Sequence, residues 1–196
     1  MSQAGGKILA EQPHPDDTHI SAEDLIVLRT AINGFLASSY GVPYNVAHGG
    51  VNMVVPDRTI RACTPPAYIP YSYECIPPED QQALDRLLAS DHGPYAARVF
   101  RDRNARSSVI RGQIDPQLRL VPAAELLELL EAPWSEPFAR RYAGMQGTVI
   151  VSAPVYPAAR RAAVYVLHVT HSAGYMDLFQ HDGAWKVRAV HGLWIS

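Results

Sequence analysis

The sequence predicts an α+β fold, with helices packed on one face of an antiparallel C-terminal β-meander. Three observations carry this expectation. The helical apolar stripes all lie before Gly144. Three β-branched and aromatic runs then follow in series, at 164–169, 175–180 and 185–190. Asp182 and Gly183 stand between the last two, and Asp-Gly tolerates the positive φ that a type I′ hairpin turn needs at both central positions. Helices segregated from an antiparallel sheet define the class.

Residues 1–20 carry Gly, Pro, Asp and His without periodicity and read as a flexible tail ahead of a single domain, 21–196. Ser21 opens the first helix, and Asp24 three residues on makes an approximate capping box. Leu25, Leu28, Ile32 and Phe35 recur at helical spacing, and Gly41 and Pro43 end the run. A short strand is expected at 51–55, closed by Pro56-Asp57-Arg58. Proline and tyrosine crowd residues 64–78, which forbids a central strand and favours an extended ribbon covering other structure. Pro78-Glu79-Asp80 starts a helix with φ pre-set and acids at the positive end of the dipole; Ala83, Leu84, Leu87 and Leu88 form its stripe. Pro94 starts another, to about Arg103, with Asn104 as its cap. The helix at 122–130 has leucines around most of its circumference, which suits burial between layers or a partner surface. Pro133 breaks it. Ser135-Glu136-Pro137 begins a short helix carrying Phe138 and Tyr142, and 148–151 is the first strand of the terminal sheet.

Charge narrows the function. Seventeen Lys and Arg against nineteen Asp and Glu give a net charge of -2. The densest basic stretch, Arg98-Val99-Phe100-Arg101-Asp102-Arg103, fits one turn of a solvated helix, so nucleic acid is not expected as a partner. No apolar run approaches the roughly 20 residues that span a bilayer, so no transmembrane segment is expected. The first residues lack the build of a secretory signal, so a cytoplasmic location is the expectation, with export left open. Cys63 and Cys75 accordingly read as two free thiols, or as one loop-stapling disulfide if the protein is exported.

Four of the eight histidines (His168, His171, His181 and His191) lie near the C-terminus. A two-residue turn at Asp182-Gly183 places His181 opposite Ala184, Leu178 opposite Val187, Met176 opposite Ala189 and Gly174 opposite His191. Trp185, Val187 and Ala189 then share an apolar face with Met176 and Leu178, and Asp177 meets Arg188 on the other. A second tight turn at Ser172-Ala173 adds Tyr165, Leu167 and Val169 to the apolar face and sets His171 beside Gly174. His171 and His191 would then converge over a residue without a side chain, with Tyr175 and Trp185 nearby. These four are the candidate binding residues. His168 is expected in a surface network with Asp177 and Arg188.

Val121 to Leu130, the Trp134, Phe138 and Tyr142 spacing, Ser152 to Tyr156, Ala163-Val164-Tyr165-Val166, Gly183-Ala184-Trp185-Lys186-Val187 and Leu193-Trp194-Ile195-Ser196 form a pattern. With Pro56-Asp57-Arg58-Thr59 after the first strand, it resembles a large set of uncharacterised bacterial proteins. The resemblance implies a fold and no activity. Those proteins often carry a longer loop with Gly and Cys after the Val-Tyr-Val strand; here it is the short His171-Ser172-Ala173.

Other motifs carry little. His14-Pro15-Asp16-Asp17 matches the zinc-binding tetrapeptide of a deacetylase superfamily, but no apolar strand precedes it and Thr18 stands where those enzymes usually carry glutamate. Gly5-Gly6 and Gly49-Gly50 lack a phosphate-loop pattern, and no Gly-x-Ser-x-Gly elbow is present. No metal site, cofactor or catalytic residue is assigned. The expectation is a non-catalytic binding or accessory protein with a small pocket or partner surface, meeting a protein partner or a small-molecule ligand. The alternative is a small-molecule enzyme of the cone-shaped α+β type using histidine acid/base chemistry.

Overall fold

The computed structural model describes residues 18–40, 52–63, 73–130, 136–169 and 171–195, the side chains at 127, 130 and 136 excepted. The His14-Pro15-Asp16-Asp17 motif, both glycine pairs, the helix stop at Gly41 and Pro43 and most of the proline- and tyrosine-rich stretch lie outside these residues.

Strand β1 (Thr18–His19) pairs in parallel with β3 (Ser108–Val109), so the end of the expected tail belongs to the fold. Helix α1 (Ala22–Ala37) starts as expected: the Ser21 hydroxyl accepts from the Asp24 N–H, and the Asp24 carboxylate accepts from the Ser21 N–H. Strand β2 (Met53–Pro56) precedes helices α2 (Pro78–His92) and α3 (Ala96–Arg103). Strand β4 (Leu118–Val121) leads into α4 (Ala123–Leu130) and α5 (Glu136–Arg141). Strands β5 (Gly147–Val151), β6 (Val155–Ala158), β7 (Arg161–His168), β8 (Ser172–His181) and β9 (Ala184–Ile195) complete the chain.

The α+β class and the antiparallel C-terminal meander are as expected, but the sheet is larger and mixed. Its order is β4-β2-β5-β7-β8-β9, with β6 beside β7, and β2 runs parallel to both β4 and β5. Helical cover lies on both faces rather than one. Val149, Val151, Val164, Val166, Met176 and Leu178 pack with α1. The alternate residues Ile150, Tyr165, Leu167 and Tyr175 pack with α2 to α5. The uninterrupted apolar runs of β5 and β7 are the cause, since strands buried on both faces lose the in-out alternation.

The hairpin turn is as expected: Asp182 and Gly183 have φ of 51° and 75°, and His181 pairs with Ala184. Leu178 faces Val187, also as expected. Beyond that point two bulges change the register. Asp177 pairs with Ala189, which leaves Arg188 as an extra residue, so Met176 meets Val190 and Gly174 meets Gly192. His191 therefore lies opposite Tyr175 and not opposite Gly174. The earlier turn also sits elsewhere. His168 pairs with Ser172, so Val164 and Val166 join the α1 face while Tyr165, Leu167 and Val169 take the opposite one. One residue of slip exchanges faces for a whole strand.

Candidate functional site

The polar centre of the molecule forms where α2 lies on the sheet. The inward stripe of α2 is Asp80, Leu84, Leu88 and His92, an i, i+4 series with a polar group at each end. Beneath it Tyr165 and Tyr175 are directly paired across β7 and β8. Their hydroxyls reach opposite ends of the helix. The Tyr165 hydroxyl donates to Asp80 Oδ2 at 2.7 Å, and Trp194 Nε1 donates to the same oxygen at 3.1 Å. The Tyr175 hydroxyl and His92 Nε2 hydrogen-bond at 2.8 Å. Two tyrosines thus pin one helix at both ends.

Asp177, fully buried, lies next to this second peg. Arg161 Nη2 donates to its two carboxylate oxygens at 2.9 and 2.7 Å, and Arg188 Nε donates to Oδ2 at 2.5 Å. His92 Nε2 stands 3.4 Å from Oδ1. A buried carboxylate costs several kcal/mol unless it is paired and hydrogen-bonded, and here two guanidiniums meet that need. The expected Asp177–Arg188 pair is therefore present, made through the bulge. At the rim His191 stacks on Tyr175 with ring centroids 5.3 Å apart, and its Nε2 lies 3.1 Å from Asp91 Oδ2.

Burial sets the proton affinities. It pushes the Tyr175 hydroxyl far above the ordinary phenol range, aided by the negative charge of Asp177. It holds the His92 imidazole below its usual value, against the opposing pull of Asp177. Burial also raises the Asp80 carboxyl, although the Tyr165 and Trp194 hydrogen bonds pull it down. The Asp177 hydrogen bond raises the Arg188 guanidinium further.

Of the four candidate residues, Tyr175 and His191 come together, while His171 and Trp185 are elsewhere. The His171 ring stacks on His168 at 4.7 Å, beyond the end of β7. Trp185 packs on the α1 face, 5.9 Å from Tyr156. The space over Gly174 is filled: a Cβ there would stand 2.7 Å from the Phe35 ring. The expected convergence of His171 and His191 is overturned by the Arg188 bulge, which sets His191 opposite Tyr175, and by the earlier turn, which leaves His171 on His168. His168 is also not in a surface network. It is buried beside Gly147 on the α1 side, and neither ring nitrogen has a hydrogen-bond partner among the described residues. Burial lowers its pKa to about 4.

Sequence reasoning missed His92, Asp91 and Arg161. A signal for the first was available, because Asp80 and His92 share the helical face of Leu84 and Leu88. Arg161 had none, since its role depends on the β7–β8 register.

Two of the surface clefts are lined by described residues of the helices. One of about 680 Å³ lies between α2, α3 and the segment holding Arg61 and Cys63; the other, about 430 Å³, lies between α4 and α5. Of the two readings left open for Cys63 and Cys75, free thiols or one disulfide, the structure has the disulfide, beside the larger cleft. Among the described residues no group of three or more His, Cys, Asp or Glu is placed to hold a metal ion, and no helix is long and apolar enough to cross a membrane. Comparison with family models, curated proteins and solved structures finds no match.

Proposed function

We propose that this chain is a non-catalytic binding or accessory protein that meets a small-molecule ligand or a protein partner at its surface. The single observation that supports this most is that the space over Gly174, where His171 and His191 were expected to converge, is filled. An enclosed catalytic site needs convergent polar groups around free space. Here the Phe35 ring occupies the space over Gly174, and His171 and His191 belong to different regions. Asp177 is engaged by two guanidiniums, and the Tyr175 hydroxyl by His92. These groups hold α2 on the sheet.

The disulfide supports an oxidising compartment over the cytoplasm, because thiols of mesophilic cytosolic proteins are kept reduced. The resemblance to uncharacterised bacterial proteins adds an expected relationship and no chemistry.

A second reading, acid/base catalysis, draws on the short Tyr175–His92 contact next to His191. One experiment separates the two. The purified protein is screened against pooled metabolites, once for ligand-induced thermal shift and once for turnover by mass spectrometry. Binding without turnover is expected. Turnover that His92→Ala or His191→Ala abolishes, in variants that still fold, would establish the enzyme instead.

A further inference from the structure

The larger cleft has a lining of mixed sign. Three guanidiniums, Arg61, Arg98 and Arg101, share it with the carboxylates of Asp85 and Asp102. Each cation has a carboxylate partner: Arg61 with Glu74 at 3.1 Å, Arg101 with Asp85 at 3.3 Å and Arg98 with Asp102 at 3.5 Å. These are long, single-point contacts, whereas charge-assisted bonds are usually about 2.7–2.9 Å. Those on the buried Asp177 run from 2.5 to 2.9 Å. The arginine side chains in the cleft are 37–63% exposed, and exposed pairs contribute little. The cleft pairs are therefore cheap to exchange.

Exchange has a charge constraint. A ligand carboxylate that takes the fork of Arg101 releases Asp85 from its cation and leaves it the Gln81 amide, which donates to its Oδ1 at 2.9 Å. A dianion would set like charge beside Asp85 and Asp102, and a dication would set it beside the arginines. A ligand carrying both signs can place each charge next to its opposite. The cleft volume of about 680 Å³ also falls in the range of small-molecule sites, roughly 300–1,000 Å³.

We infer that the cleft between α2 and α3 binds a small zwitterion of the amino-acid or short-peptide class, its carboxylate on Arg98 and Arg101 and its ammonium on Asp85 and Asp102. This rests on the binding reading above and names the ligand class. The disulfide supports it, since Cys63 lines the cleft and its bond to Cys75 ties down the segment that carries Arg61.

The test is an NMR titration of the intact oxidised protein, following arginine Nε–H signals. Three probes are compared: the dipeptide Lys-Glu, glutarate and cadaverine. Lys-Glu is expected to shift the Arg98 and Arg101 signals saturably, and to bind at least about tenfold more tightly than either singly signed probe. The Arg98→Gln/Arg101→Gln double variant is expected to lose about tenfold or more of that affinity. Its backbone spectrum reports folding, and single Arg98→Gln, more exposed, repeats the test if the pair perturbs the fold. Glutarate binding as well as Lys-Glu would overturn the ligand class while leaving a binding protein. Lys-Glu shifting neither arginine would overturn the site. Turnover of Lys-Glu would overturn the binding reading itself.

Discussion

Single residues set the polar economy of this molecule, and neither ring nitrogen of the buried His168 has a hydrogen-bond partner among the described residues. A buried polar group without a partner costs about 1–3 kcal/mol. Replacing His168 by Leu, similar in size and apolar, is expected to stabilise the protein by about that amount in urea unfolding at neutral pH. Burial of the His168 imidazole sets the sign of the wild-type pH dependence. Its folded pKa of about 4 lies below the ordinary histidine value of 6.5, so the neutral ring is the form the fold accepts. The His168 contribution is fully present above pH 6.5 and is lost as pH falls toward 4. The loss is on the order of 3 kcal/mol, from 1.36 kcal/mol per pKa unit. His168→Leu should flatten that window; an unchanged pH profile would place the loss in another group. Asp177→Ala, by contrast, removes the buried acceptor shared by two part-exposed guanidiniums and is expected to cost about 1–3 kcal/mol. A chemical denaturation midpoint reads both effects.

At the scale of elements, the bulge at Arg188 explains where sequence reasoning succeeds and where it stops. The hairpin from Leu178 to Val187 was legible because Asp182-Gly183 specifies its own turn. Nothing in the period-2 pattern announces an extra residue, since Val187, Ala189 and Val190 satisfy either register. The bulge lets Arg188 Nε reach the buried Asp177, a tertiary demand that local patterning does not encode. Capping chemistry was legible for α1 because both halves of the Ser21–Asp24 box are local. Ser21→Ala should cost about 1 kcal/mol by thermal unfolding. The disulfide acts at the same scale, closing a loop across a sequence separation of 12. Cys63→Ser with Cys75→Ser is expected to lose about 3 kcal/mol of stability on the loop-entropy account. Thiol titration of the unfolded wild type should find no free cysteine at these positions; full reactivity would remove the oxidising-compartment argument.

For the whole molecule, the sheet is a divider between two cores. Near-continuous apolar runs in β5 and β7 imply burial on both faces, and that property was present in the sequence. Strand β4 was not legible: four residues with one arginine give too short a pattern, and only its parallel pairing with β2 makes it a strand. The site followed the same divide. Tyr175 and His191 belong to the α2 side, His171 stacks on His168, and Trp185 packs on the α1 side. The space over Gly174 is filled by the Phe35 ring, while the α2–α3 cleft opens at the surface.

The most direct measurement is the set of aromatic proton contacts seen by NMR from the His191 ring. Cross-peaks to the Tyr175 ring, with none to His171, are the expected result. Cross-peaks joining His191 to His171 across Gly174 would restore a shared imidazole site and contradict both the bulged register and the binding function drawn from it.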